Sequence, residues 1–129
     1  MGALIVKVVD DPTDDTFIIW STITSRPTHL FRTHQDLRDH LWADHERNYP
    51  NVPLVQGSPY APDARIERAL ITGSSSVTGE FGYAHAHWVV PGIGGWSALR
   101  REDLLEFTCA VLTGDSEKRQ KLLTLVNWR

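Results

Sequence analysis

The chain has 129 residues, 41% of them hydrophobic and 22% charged, with a formal net charge of −3. That length suits one domain, 1–129, whose core needs neither disulfides nor a structural metal, and the single Cys109 excludes an internal disulfide. The acidic balance argues against a dedicated nucleic-acid binder, which carries a basic face; no apolar run approaches the roughly 20 residues of a membrane span.

The start, MGALIVKVV, lacks the charged leader and cleavage site of a secretion signal. A cytoplasmic protein is therefore expected, with neither nucleic acid nor membrane as its partner. Residues 3–9, ALIVKVV, are apolar and β-branched and predict a first strand; TFIIWSTIT at 16–24 predicts a second. Between them DDPTDD carries Pro12 and the four carboxylates of Asp10, Asp11, Asp14 and Asp15, and predicts a hairpin turn. THLFR at 28–32 predicts a third short strand. Thr33 then caps a helix over 33–47, with Asp36 three residues on, where a carboxylate favours the N-terminus; Leu37 and Leu41 share one of its faces.

Residues 48–62 hold Pro50, Pro53, Pro59 and Pro62 and predict a long loop. Asp63 is placed to cap a short helix to about Ile71, and TGSSS is a turn. Residues 77–90 predict a long strand, and PGIGG at 91–95 a break. Ser97 is placed to cap a helix to about Leu112, stopped by Gly114. Asp115 or Ser116 starts the last element, and LLTLVNW at 122–128 suits helix or strand equally. The order predicts an α+β fold: a mainly antiparallel sheet of about 4–5 strands with helices packed on one face.

Within the predicted strand stands YAHAHW, residues 83–88. Strand alternation sets Phe81, Tyr83, His85, His87 and Val89 on one face. Gly82, Ala84, Ala86, Trp88 and Val90 fall on the other, which the small residues and the Trp assign to the core. Two imidazoles at i and i+2 can reach one metal ion, but a site needs a third ligand. His29 and Glu80 are the candidates, and no H-E-x-x-H or C-x-x-C spacing supports them. The other readings are a half-solvated sheet face and an interface, for which a Tyr–His row near Trp is suitable.

The remaining motifs point to structure more than chemistry. DDPTDD lacks the bidentate Glu and ligand order of a calcium loop; an acidic tip can still steer a basic partner. Asp36, His40 and Asp44 are spaced for surface pairs across one helical turn. Cys109, mid-helix, reads as a buried, inert thiol. PGIGGW is not a phosphate loop, so no cofactor motif stands out. Tyr49 and Tyr60, near the two ends of the Pro-rich loop, suit a contact surface or lid.

The C-terminal stretch LLEFTCAVLTGDSEKRQKLLTLVNWR, through Phe107, Thr113, Gly114 and Trp128, resembles the tail of small actinobacterial immunity proteins of polymorphic toxin systems. The likeness covers roughly a quarter of the chain. It departs from that pattern in having no Pro between Ser116 and Gln120. The resemblance implies a small acidic α+β protein that binds and inhibits a toxin enzyme; it assigns no site residues. The favoured expectation is a binding module for another protein, or for a second copy of itself, using Tyr83, His85, His87, Tyr60 and Trp96. The alternative is a small enzyme or ligand binder on the Tyr83–His85–His87 face, with the histidines as acid–base groups or metal ligands.

Overall fold

A computed structural model describes residues 3–50, 61–92 and 95–125. Strands β1 (Ala3–Lys7), β2 (Phe17–Ser21) and β3 (Arg26–Phe31) form one antiparallel sheet in the order β1-β2-β3. Helices α1 (His34–Asn48) and α2 (Pro62–Thr72) follow. Strands β4 (His87–Gly92), β5 (Gly95–Arg100) and β6 (Leu123–Leu125) form a second antiparallel sheet, β4-β5-β6. Helices α3 (Leu104–Thr113) and α4 (Ser116–Lys121) lie between β5 and β6 in the chain. The fold is α+β, but its strands divide into two three-stranded sheets instead of one of 4–5 strands.

The layering follows from the composition of β1 and β2. Leu4, Ile5 and Val6, like Phe17, Ile18, Ile19 and Trp20, are apolar on both sides of the strand, so both faces of the first sheet need cover. On one face Ile5, Phe17 and Ile19 pack with Leu37 and Leu41 of α1 and Ile66 and Ala69 of α2. On the other, Val6, Ile18 and Trp20 meet Trp88, Val90 and Leu99 of the second sheet and Leu104 and Phe107 of α3. Helices therefore flank the first sheet on both sides, not one. Trp20 is the centre of the second cluster: its ring lies 5.2 Å from Trp88, edge-on, and 6.3 Å from Phe107. Lys7 is buried on the α1/α2 side, and its ammonium reaches the carbonyls of Val9 and Asp11 at 2.6 and 2.8 Å.

Local signals set several boundaries. Thr33 Oγ1 accepts from Asp36 N at 3.1 Å at the start of α1. Gly114 ends α3 at φ 76°. Asp115 caps α4 through Lys118 N. The α2 cap is Ala61, with Pro62 in the first turn, and not Asp63.

Two further expectations fail. The strand does not run over 77–90; it begins at His87, because Gly79 and Phe81 take positive φ (84° and 63°) and the chain turns through 77–86. Nor does Ser97 cap a helix: it is buried mid-strand in β5, opposite Val90, and α3 starts at Leu104 after a short 3₁₀ turn at Arg101–Asp103. Of PGIGG, Pro91 and Gly92 end β4 and Gly95 begins β5, so the expected break is short; residues 93–94 lie outside the described residues. Residues 123–125 are strand; the rest of the C-terminal segment and residues 51–60 of the Pro-rich loop lie outside the described residues.

Candidate functional site

The β4–β5 hairpin alternates cleanly. Trp88, Val90, Ser97 and Leu99 point inward and are buried; His87, Val89, Pro91, Trp96 and Arg100 are exposed. The register sets His87 opposite Arg100, Val89 opposite Ala98 and Pro91 opposite Trp96, with Ala98 opposite Thr124 of β6. Cross-strand partners share a face, so the outer surface is an apolar strip of Val89, Ala98, Pro91 and Trp96 with His87 and Arg100 at one end. Trp96 is 50% exposed and Val89 49%, on strands braced from behind by the Trp20–Trp88 cluster. Arg100 is tied to Glu102 and, at 3.7 Å, to Asp103.

This strip includes one edge of the sheet. Arg101 N donates to Ala86 O at 2.8 Å, which makes these two a hydrogen-bonded pair of the antiparallel ladder. Such pairs alternate along the ladder, so the backbone groups of His87, Val89 and Pro91 face away from β5. Pro91 has no N–H to donate, and an outward edge position is where a strand tolerates it.

The expected site residues separate. His87 and Trp96 share the outer face. His85 is exposed, in the turn ahead of β4, with its N–H donating to Gly82 O at 3.1 Å. Tyr83 is not on a strand: its N–H donates to Thr72 O at 2.8 Å, and its ring lies beneath the Arg101 guanidinium, 4.9 Å away. The row Tyr83–His85–His87 therefore does not form, because the turns at Gly79 and Phe81 take its first two members off the strand. Tyr60 lies outside the described residues.

Tyr83 belongs to a clamp. Arg101 donates to Gly82 O at 3.3 Å, Val8 O at 2.5 Å and Lys7 O at 2.7 Å, joining the end of β1 to the turn before β4. Burial, then Asp10, pushes the Tyr83 phenol up from its ordinary range; burial draws Arg101 down. Tyr83 Oη is buried without a hydrogen-bond partner. Sequence gave no sign of this clamp, since Arg101 and Lys7 are 94 residues apart.

The other histidines are also rearranged. His29 faces His40 across β3 and α1, ring centroids 4.6 Å apart, with Phe31 against both. Partial burial and then the neighbouring His40 lower the His29 pKa from 6.5, against the opposing pull of Asp44. Asp44 pairs with Arg47 at 3.2 Å in place of His40. Among the described residues no three His, Cys, Asp or Glu side chains converge as a metal ion requires. On the far face of α1, Asp63 accepts from Arg38 at 3.0 Å and Trp42 at 3.2 Å, and these bonds lower its pKa.

The acidic hairpin tip is largely engaged with its own backbone. Asp11 accepts from Thr13 N and Oγ1, both at 2.8 Å, which lowers its pKa; Asp14 accepts from Thr16 N, and Asp15 from His34 N at the start of α1. Cys109 is half-buried, not fully enclosed. Among the described residues no helix is long and apolar enough to cross a membrane.

Comparison with protein-family models, with curated proteins and with solved structures finds no match.

Proposed function

We propose that this chain is a binding module that recognises another protein through the outer face of the β4–β5 hairpin. The observation that carries the reading is the half-exposed Trp96, set beside Pro91 and near Val89 on a strand fixed from behind by the core. Tryptophan on a rigid support is the side chain most often found anchoring an interface, since it contributes large area at small entropic cost. The His87–Arg100 end supplies a polar rim, and the outward backbone groups of His87 and Val89 suit the addition of a partner strand. The net charge of −3 favours a basic partner. Within that reading, the resemblance of the C-terminal quarter to immunity proteins makes a toxin enzyme the first partner class to try.

The test compares the full chain with a Val89→Ser/Trp96→Ser variant. Both side chains are about half exposed, so the variant loses some stability, and a cooperative melting curve verifies that it still folds. Partners retained by the wild-type chain are purified and their Kd measured. The variant should bind at least about tenfold more weakly, as expected for loss of an anchoring Trp. A purified partner that binds both forms equally refutes this surface. Sedimentation of the chain alone separates self-association from binding a different protein.

A further inference from the structure

A cleft of about 240 Å³ opens between the β2–β3 turn, α3, α4 and β6. Its apolar lining is Phe107, Val111 and Leu123; its polar lining includes Ser25, Arg26 and Arg119. Phe107 is held rigidly in the core against Trp20, so the base of the cleft is preformed.

The two arginines differ from the others described above. Arg38, Arg47 and Arg100 are each paired with a carboxylate. Arg65, Arg68 and Arg101 donate to backbone carbonyls. Among the described residues Arg26, Arg119 and, outside the cleft lining, Arg32 enter no ion pair and donate no side-chain hydrogen bond, in a chain whose 16 acids outnumber its 13 bases. Guanidinium groups left without carboxylates in a cleft of mixed polar and apolar lining complement an anion with a small apolar tail.

We propose that this cleft binds a small organic carboxylate bearing a single aromatic or branched apolar group. Arg26 and Arg119 would hold the carboxylate, for which the planar guanidinium fork has matching geometry, and Ser25 would add a hydroxyl donor. Phe107, Val111 and Leu123 would receive the tail. The volume of about 240 Å³ is below the roughly 300 Å³ at which drug-sized pockets begin, so a small ligand suits it. The same chemistry is offered by a free acid and by the C-terminal residue of a peptide.

The experiment titrates the ¹⁵N-labelled full chain with 3-phenylpropionate, with its neutral amide, and with an acetylated Gly-Gly-Phe peptide carrying a free carboxylate. Saturable shifts should appear at the amides of Ser25, Val111 and Arg119 with the acid and not with the amide. An Arg26→Gln/Arg119→Gln variant should bind about tenfold more weakly or worse, as loss of charge-assisted hydrogen bonds at a partly exposed site implies. Both substitutions are on the surface, and an unchanged melting curve verifies the fold. Binding of the peptide as well identifies a chain end as a source of the ligand; binding of the acid alone identifies a free metabolite-sized acid. No saturable shift with either carboxylate, equal binding of the amide, or equal binding by the variant overturns the proposal. The cleft meets the outer sheet face at Pro91, but the arginine variant leaves Trp96 and Val89 intact, so failure here is distinct from failure of the protein-binding reading.

Discussion

Replacing Arg101 with Met should be among the most damaging single changes outside the aromatic core. Met keeps much of the stem and removes the guanidinium. Three carbonyl oxygens, of Lys7, Val8 and Gly82, then lose their donor, and the Tyr83 ring loses the cation above it. Hydrogen bonds from a charged donor contribute about 1.5–3 kcal/mol each in favourable cases. The Arg101 side chain is half-buried, so water replaces part of what is lost, and about 1 kcal/mol per carbonyl is the appropriate scale. With roughly 0.5 kcal/mol for the cation–π contact, the loss comes to about 3–4 kcal/mol. For a chain of this size that corresponds to a fall in Tm of about 10–15 °C. Urea unfolding followed by tryptophan fluorescence measures it, since Trp20 and Trp88 lie in the adjoining core. A control separates the clamp from general loss of packing. Tyr83→Phe keeps the ring under Arg101 and removes a hydroxyl that is buried without a partner, so it should be neutral or slightly stabilising. A loss below about 1 kcal/mol for Arg101→Met would refute the view that this residue ties the two sheets together.

Gly73→Ala should cost about 2 kcal/mol or more: Gly73 sits at φ 92°, and an added Cβ would come within 2.8 Å of the Tyr83 backbone nitrogen. Alanine tolerated there, with an unchanged melting curve, would show that the Tyr83 turn is misplaced. His29 gives a pH dependence of definite sign. Its folded pKa lies below 6.5, so the folded state holds fewer protons than the unfolded chain; its contribution is present above pH 6.5 and is lost as pH falls through the lowered folded value. His29→Gln should flatten that acidic limb of the stability curve, and a limb of unchanged slope would exclude His29 as its source. Trp20→Ala should cost about 3–5 kcal/mol or prevent folding; a folded variant with near-native urea stability would contradict its central place in the core.

Much of the first half of the fold was legible in local sequence. The hairpin of β1 and β2 follows from two apolar β-branched runs around DDPTDD, and α1 from the Thr33 cap. The Gly114 stop of α3 was equally plain. These signals act within a few residues, where hydrogen-bond geometry and φ preferences are decided. The stretch 77–100 is less legible. Trp88 and Val90 do lie on the core side, but Ala84 and Ala86, which strand alternation sets beside them, are exposed in the turn that precedes β4. Phe81 is instead turned to positive φ and packs its ring against Trp88, 4.6 Å away. Ser97 resembled a helix cap because a serine before an apolar helical run satisfies that local rule; its pairing with Val90 across the hairpin has no local mark.

The candidate surfaces divide in the same way. His87 and Trp96 stand out by residue type and share a face, but the register of β4 against β5 puts them there. His29 and His40 meet, Arg101 reaches Lys7, and Arg26 and Arg119 line one cleft only because the two sheets and their helices stack. By itself the sequence determined which runs are apolar enough to be strands and where several helices start and stop. Tertiary structure alone decided that the strands form two sheets, that the histidines separate, and that two arginines remain beside an apolar cleft. The reason is physical: local preferences act over a turn or less, whereas tertiary contacts couple distant residues, 94 positions apart for Arg101 and Lys7, and exist only once the layers have closed.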